Sequence, residues 1–279
     1  MTNNEYARPH MALGGQVAVV TGAGAGLGQG IAKRLGADGA DVVVLERDAA
    51  SGEATAKEIA GLGVKSKMVE LDLSDTEKIG GVVEQIADEF GKIDIWVNNA
   101  GIMHTMPLLD LSEEAWDMVQ ATNSKGLFFA SQAVAKIMIK QKSGVITNIT
   151  SGQHCRPNAI HYAVSKMGVD IITMSMALAL GEHNIRVNAV CPGLFDTPNW
   201  WRMDTDRAKM YGLKPGEATE GWVQAVPSKR LGQPEEVAAM VAFLSSSDAA
   251  YINGQIINLT GGSDLFSYER YQTKGALSK

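Results

Sequence analysis

Tyr162 and Lys166 close the run Tyr162-Ala163-Val164-Ser165-Lys166, and a separation of four residues puts both side chains on one face of a helix. A phenol titrates at about 10 and is by itself a weak base. A neighbouring ammonium favours the phenolate, giving a group able to take a proton from a hydroxyl and return it. Far upstream, Thr21-Gly22-Ala23-Gly24-Ala25-Gly26-Leu27-Gly28 follows the apolar run 17–20. Glycines at 22, 26 and 28 allow a tight turn, a close backbone approach to a pyrophosphate and close helix packing, with a helix N-terminus facing the phosphates. Either pattern alone has an ordinary reading, a strand–turn–helix connection or a surface pair. Together, a dinucleotide cradle and a proton-moving pair are the two halves of alcohol oxidation: hydride transfer to a bound nicotinamide and removal of the hydroxyl proton.

Short β-branched runs over 17–20, 42–45, 67–71, 93–97, 145–149, 186–190 and 255–259 read as strands. Apolar residues at helical spacing over 31–35, 55–62, 79–90, 128–138, 164–180 and 235–244 read as helices between nearly all of them. The alternation predicts an α/β fold: a doubly wound parallel sheet of seven strands with helices on both faces, as one domain over 1–279. Ligands of such sheets bind at the carboxyl ends of the strands, where the glycine turn, Asn98-Asn99-Ala100-Gly101 and Ile149-Thr150-Ser151 all fall. Residues 192–229 read as one long irregular region, with 193–229 as a lid or binding loop, and 263–279 form a polar tail.

The glycine turn, the Asn98-Asn99-Ala100-Gly101 turn and the Tyr162/Lys166 pair in one chain resemble the short-chain dehydrogenase/reductase family, from about residue 13 to 262. The resemblance implies a Rossmann fold and a nicotinamide dinucleotide touched by Gly22, Gly26, Leu27, Gly28, Leu73, Asn99, Ala100, Gly101, Pro192 and Gly193, with Tyr162 and Lys166 at its reactive end. By the same resemblance Asp72 contacts the adenine and Thr197 the nicotinamide carboxamide. The catalytic set it implies is Asn123, Ser151, Tyr162 and Lys166: Ser151 holds and polarises the substrate oxygen, and Asn123 supports a water and proton path through Lys166. Alternatives stay open. Thr150 competes with Ser151, Asp72 can be a cap or turn residue, Asn98 can tie strands together, Asn123 can be a buried asparagine at a helix kink, and Pro198 can make Thr197 part of a simple turn. Glu46 ends the second strand, where a carboxylate accepts hydrogen bonds from ribose hydroxyls and repels a ribose phosphate, favouring NAD over NADP; Arg47 pulls the other way. The span 151–162 is shorter than the common family pattern, so contacts within 153–158 are not carried over.

The 279 residues are 45% hydrophobic and 20% charged, which suits a globular chain with a large core. A net charge of −6 argues against nucleic acid or an anionic membrane as partner, leaving small molecules. Cys155 and Cys191 are too few for a disulfide framework, and His10, His104, His154, His161 and His183 show no metal-ligand spacing, so no metal is expected. His154, in the loop after Ser151, can reach a substrate or face solvent. Residues 1–14 carry Glu5, Arg8 and His10 instead of the apolar run of a signal peptide, and 169–180 falls short of the ~20 residues of a bilayer span, so a cytoplasmic protein is expected.

From Thr197 to Gly232 the chain resembles the lid of bacterial sorbitol-type polyol dehydrogenases and, less closely, of diol and acetoin dehydrogenases; Trp200 and Trp201 can wall the site or anchor packing. The expectation is NAD-dependent interconversion of a secondary alcohol (polyol, sugar or vicinal diol) and its carbonyl, with Tyr162 as general acid/base. The rivals are a ketoacyl- or steroid-type reductase and a dinucleotide-sensing regulator without catalysis. Apolar helices over 128–140 and 164–180 predict a homodimer or homotetramer.

Overall fold

The structure is a computed structural model that describes residues 13–152 and 159–265. Seven strands, β1 (Val17–Thr21), β2 (Asp41–Glu46), β3 (Ser66–Glu70), β4 (Ile95–Asn98), β5 (Gly144–Ile149), β6 (Ile185–Pro192) and β7 (Ile256–Leu259), form one sheet in the order β3-β2-β1-β4-β5-β6-β7. Every neighbouring pair is parallel, from Val17 beside Asp41 on one side of β1 to Ala189 beside Ile256 at the far edge. The order reverses between β1 and β4, and the crevice at that switch lies outside the carboxyl ends of both strands. The expected strands are all present with ends shifted by a residue or two; that expected over 93–97 runs Ile95–Asn98.

The central strands are buried on both faces, so they read as continuous apolar runs in which alternate residues serve opposite layers. Val20, Val42 and Val44 pack with Ile31 and Leu35 of α1 (Gly26–Ala37), Ile59 of α2 (Ala49–Ala60) and Val241 of α9 (Pro234–Ser245). Val19, Val43, Trp96 and Val187 pack on the other face with Val83 of α3 (Thr76–Phe90), Val134 of α5 (Leu127–Gln141) and Met176 of α6 (Ile160–Leu180). Helix starts are set locally. Asp48 caps α2 by accepting from Ser51 N at 2.8 Å, and Gln233 and Glu236 form a capping box at α9 with Pro234 in its first turn.

Two regions depart from the expected outline. Residues 192–229 are not one irregular stretch: α7 (Pro198–Tyr211) and α8 (Glu217–Ala225) occupy most of it. Pro198 does not make a simple turn there. It opens α7 in the first helical turn, where its missing N–H costs nothing, and Thr197 caps the helix by accepting from Trp200 N at 3.2 Å. The periodicity of α7 was hidden because its inward residues, Trp200, Met203, Asp204, Arg207 and Ala208, include an acid and a base. The second departure is α4 (Glu113–Gln120), which buries only Val119, and the π-helical turn Ala121–Gly126 that joins it to α5.

Helix α6 begins four residues before the stretch read as helix. Together with the short turn Gly181–His183 it is long and apolar enough by composition to cross a membrane, but Val169, Thr173, Met176, Ala177 and Leu180 are buried in the fold.

Candidate active site

A cleft of about 350 Å³ runs along the carboxyl ends of β1, β2, β4, β5 and β6. Its floor begins at Gly22, whose φ of +63° belongs to the left-handed region and whose α-carbon faces Ala100 so closely that a Cβ would stand 2.8 Å from Ala100 Cα. Helix α1 starts with no side-chain cap at Ala25 and no acid in its first turn, and Gly26 and Leu27 line the cleft. Its first N–H groups are therefore left for an anion, and this end of the cleft fits a pyrophosphate. Gly28 does not line the cleft. It packs against Gly22 O and Asn99 Nδ2, where a Cβ would collide with both, so its smallness lets α1 approach the strand ends. Asn99 Nδ2 donates to Thr21 O and Gly22 O at 3.0 Å each, and the N–H groups of Asn99 and Ala100 both donate to Thr21 Oγ1 at 3.0 Å, which laces the β4 turn to the β1 turn.

Glu46 lines the cleft at the end of β2. One carboxylate oxygen accepts from Gly24 N at 3.0 Å and the other from Arg47 N at 2.8 Å, so the acid is fixed by the backbone around it. The Arg47 guanidinium turns to Asp72 Oδ2 at 3.4 Å. Asp72 lines the cleft and is also a turn residue, accepting from Ser74 N at 2.9 Å and Ser74 Oγ at 2.7 Å. Burial raises its carboxyl, but the Ser74 hydrogen bonds and the Arg47 charge outweigh it and hold Asp72 below the usual carboxylate range. Leu73, Asn99, Ala100, Gly101, Pro192, Gly193 and Thr197 line the same cleft. Asn98 does not; it ties strands, donating to Asn148 Oδ1 at 2.8 Å and Ser131 Oγ at 2.7 Å while accepting from Trp96 Nε1 at 2.7 Å.

Ser151, Tyr162 and Lys166 converge at the other end of the cleft, with Thr150 beside them. The Ser151 side chain hydrogen-bonds the Tyr162 phenol, and Lys166 Nζ donates to Ile149 O at 2.7 Å. Burial pushes Tyr162 above its ordinary value, against the lowering effect of Ser151, and burial brings Lys166 down to about 8. The Lys166 ammonium lies 5.8 Å from the Tyr162 ring centroid, and burial is the largest influence on both groups. Asn123 is fully buried in the π-helical turn and does not line the cleft. It clamps Ile102, accepting from its N at 2.8 Å and donating to its O at 2.9 Å, and a Cβ at Gly101 would stand 3.3 Å from Asn123 Oδ1 and 3.5 Å from Lys166 Nζ.

Trp200 and Trp201 part company. Trp200 lines the cleft with Met103 and Met203, and these three belong to one apolar cluster that includes the Tyr162 ring; Trp201 turns away to donate to Asp196 Oδ1 at 2.7 Å. Sequence reasoning missed Met103, Met203, Phe195 and Asn199 as lining residues. Met203 had a usable signal, one helical turn after Trp200, whereas Met103 sits in a loop after β4 with no periodicity.

Among the described residues no group of His, Cys, Asp and Glu could hold a metal. Cys191 is a buried free thiol, and burial together with the charge of His104 lowers His161. His10, His154, Cys155 and the span 153–158 lie outside the described residues.

Residues 22–264 match a family model described as enoyl-(acyl carrier protein) reductase, of the short-chain dehydrogenase type. The chain belongs to the short-chain dehydrogenase/reductase family and is an oxidoreductase acting on alcohol or carbonyl substrates with a nicotinamide dinucleotide. It is 38% identical to the galactitol 2-dehydrogenase of Agrobacterium fabrum over 255 residues, covering 90% of this chain and 98% of that one. It is also 37% identical to the 3-oxoacyl-(acyl-carrier-protein) reductase FabG of Thermotoga maritima, covering 90% and 99%. Among solved structures, NAD-bound xylitol dehydrogenase superposes with a TM-score of 0.86 at 31% identity, covering 90% and 99%.

Proposed function

We propose that this chain oxidises a secondary alcohol, a polyol, sugar or vicinal diol, with NAD and runs the reverse carbonyl reduction with the same groups. The observation that carries the reading is the hydrogen-bonded Ser151–Tyr162 pair beside Lys166 in a cleft whose far end carries a fixed Glu46 carboxylate. When bound, the nicotinamide accepts the hydride. Ser151 holds the carbinol oxygen, Tyr162 removes its proton in oxidation and supplies it in reduction, and Lys166 keeps a positive charge near the phenol. Glu46 favours NAD because a ribose phosphate beside its carboxylate meets a like charge, while Arg47, paired with Asp72, is turned aside. The polyol assignment draws on the lid resemblance and on the galactitol and xylitol enzymes among the relatives.

The test is NADH formation from NAD across sugar alcohols, aldoses, vicinal diols and hydroxy acids, with Tyr162→Phe as the blank. Turnover by the wild type and none by the variant upholds the assignment; equal turnover by both removes Tyr162 from it. A second reading, reduction of a ketoacyl thioester with NADPH, is favoured by the apolar wall of Met103, Trp200 and Met203 and by the reductases among the relatives. Turnover of an acetoacetyl thioester with NADPH and silence with every alcohol would select it.

The same proposal includes a homo-oligomer in the cytoplasm. Val164, Met167, Ile171, Met174 and Leu178 form an exposed apolar stripe along α6, and Phe128 and Phe129 add to it from neighbouring α5. An apolar face of this extent on an acidic protein is best covered by a second copy of the chain.

A further inference from the structure

Trp200 is only 3% exposed although it lines the cleft beside Tyr162, and the groups that bury it also fix it. Its indole N–H donates to Thr219 Oγ1 at 3.0 Å, and the Thr219 hydroxyl donates onward to Asp204 Oδ1. Asp204 accepts further from Thr219 N at 3.0 Å and from Gly216 N, so one carboxylate of α7 holds the start of α8. The Arg207 guanidinium lies 5.4 Å from the Trp200 ring and 4.2 Å from that of Trp222, and the two indoles meet edge to face with centroids 5.4 Å apart.

With its only donor engaged, Trp200 can offer the cleft nothing but carbon. Met203 and Met103 extend that surface. Asn199 is the one polar side chain α7 adds to the lining; its amide oxygen accepts from Arg202 at 2.7 Å, which leaves its amide nitrogen as the one donor α7 brings there. Among the described lining residues, the hydroxyls of Thr150, Ser151 and Tyr162 gather on the β5–α6 side, with Thr122 and Thr197 lining the cleft elsewhere. Among the described residues the chamber thus has a hydrogen-bonding side at β5–α6 and, at Met103, Trp200 and Met203, a carbon side. An open-chain polyol carries a hydroxyl on every carbon, and each one turned to the carbon side loses its water without gaining a partner. A ring with its hydroxyl and a neighbouring oxygen on one edge satisfies both sides at once.

We propose that Trp200 is the specificity-determining wall of this site and selects a cyclic secondary alcohol bearing an adjacent oxygen over an open-chain polyol, with Thr219, Asp204 and Arg207 as positioning residues that hold the indole. The proposal rests on the alcohol-oxidation reading of the same site. It narrows the substrate from polyols in general to rings.

The test uses the full-length enzyme with NAD and two probes, trans-cyclohexane-1,2-diol and galactitol. The expected result is a kcat/KM ratio of about 10-fold or more in favour of the ring, lost in Trp200→Ala. Thr219→Val is expected to raise KM for the ring several-fold while kcat and the NAD KM stay within about twofold, and Thr219→Ser to restore KM. A purely structural role would instead lower kcat and NAD affinity together with any rise in the ring KM. A wild-type preference for galactitol, or an unchanged ratio in a Trp200→Ala protein that still binds NADH, overturns the proposal. Titration of tryptophan fluorescence with both probes separates the two levels. Ring-selective quenching without turnover upholds the wall and sinks the oxidation reading alone, and no ring-selective quenching and no turnover overturns the wall as well.

Discussion

Lys166 Nζ donates to the Ile149 carbonyl oxygen at 2.7 Å, which anchors its ammonium to the end of β5 just before the Thr150-Ser151 corner. Because burial raises Tyr162 and brings Lys166 down to about 8, Lys166 loses its proton before the phenol does as pH rises. Carbonyl reduction needs the phenol protonated, and the upward shift secures that beyond pH 8. The kcat/KM for reduction therefore falls above about pH 8 through Lys166, since this parameter reports groups of the free enzyme. Lys166→Arg keeps a cation at any working pH, so its residual activity should lose that alkaline limb. A wild-type profile flat to about pH 10 would rule out the titration.

Glu46 accepts from Gly24 N and Arg47 N, so the carboxylate cannot swing away from an incoming phosphate. Glu46→Ala removes the like charge and leaves Arg47, whose partner Asp72 is held 3.4 Å away, as the nearest cation. The NADP-to-NAD ratio of kcat/KM should rise by about 10- to 100-fold, a fraction of the full Coulomb term after solvent screening. An unchanged ratio would take Glu46 out of the selectivity.

The strand order and the Tyr162/Lys166 end of the site were legible because both follow from local spacing: β-branched runs between helical patterns, and a tyrosine one helical turn from a lysine. What stayed hidden was set by contacts distant in sequence. Asp204 and Arg207 face inward on α7, where a hydrophobic pattern calls for apolar residues, and only Thr219, Gly216 and Trp222 of the neighbouring segment make them acceptable there. The partners of the close packing at Gly28, Gly22 and Asn99, likewise needed the fold to be seen. Asn123 and Asn98 illustrate the same limit: a buried asparagine can hold backbone, tie strands or support a proton path, and only its partners tell which.

Asn98, Asn148, Ser131, Thr173 and Trp96 form a chain of buried side-chain hydrogen bonds across β4, β5, α5 and α6, with Asn148 Nδ2 donating to Thr173 Oγ1 at 2.8 Å. Asn98→Ala leaves the Trp96 N–H and the Asn148 carbonyl without their partner, and should cost about 3 kcal/mol in urea unfolding. Asn148→Ala should cost a similar amount. The double variant should fall short of the sum by about 1 kcal/mol or more, because each change already breaks the shared bond. Strict additivity would mean the two amides do not act as a unit.

The exposed face of α6 leads to a prediction about assembly. Ile171 is 60% and Leu178 87% exposed, one above the other on the same outward stripe, while Val169, Thr173 and Met176 on the opposite side fill the core. Burying such side chains is worth about 1.5–3 kcal/mol each, and a twofold partner would bury both sets at once. The wild type should therefore run above its 29.7 kDa monomer mass in light scattering at micromolar concentration. Ile171→Glu with Leu178→Glu should return it to the monomer with its circular dichroism unchanged, because neither residue supports the core. A wild-type monomer, or a double variant that keeps the larger mass, would send the search for the contact to another face.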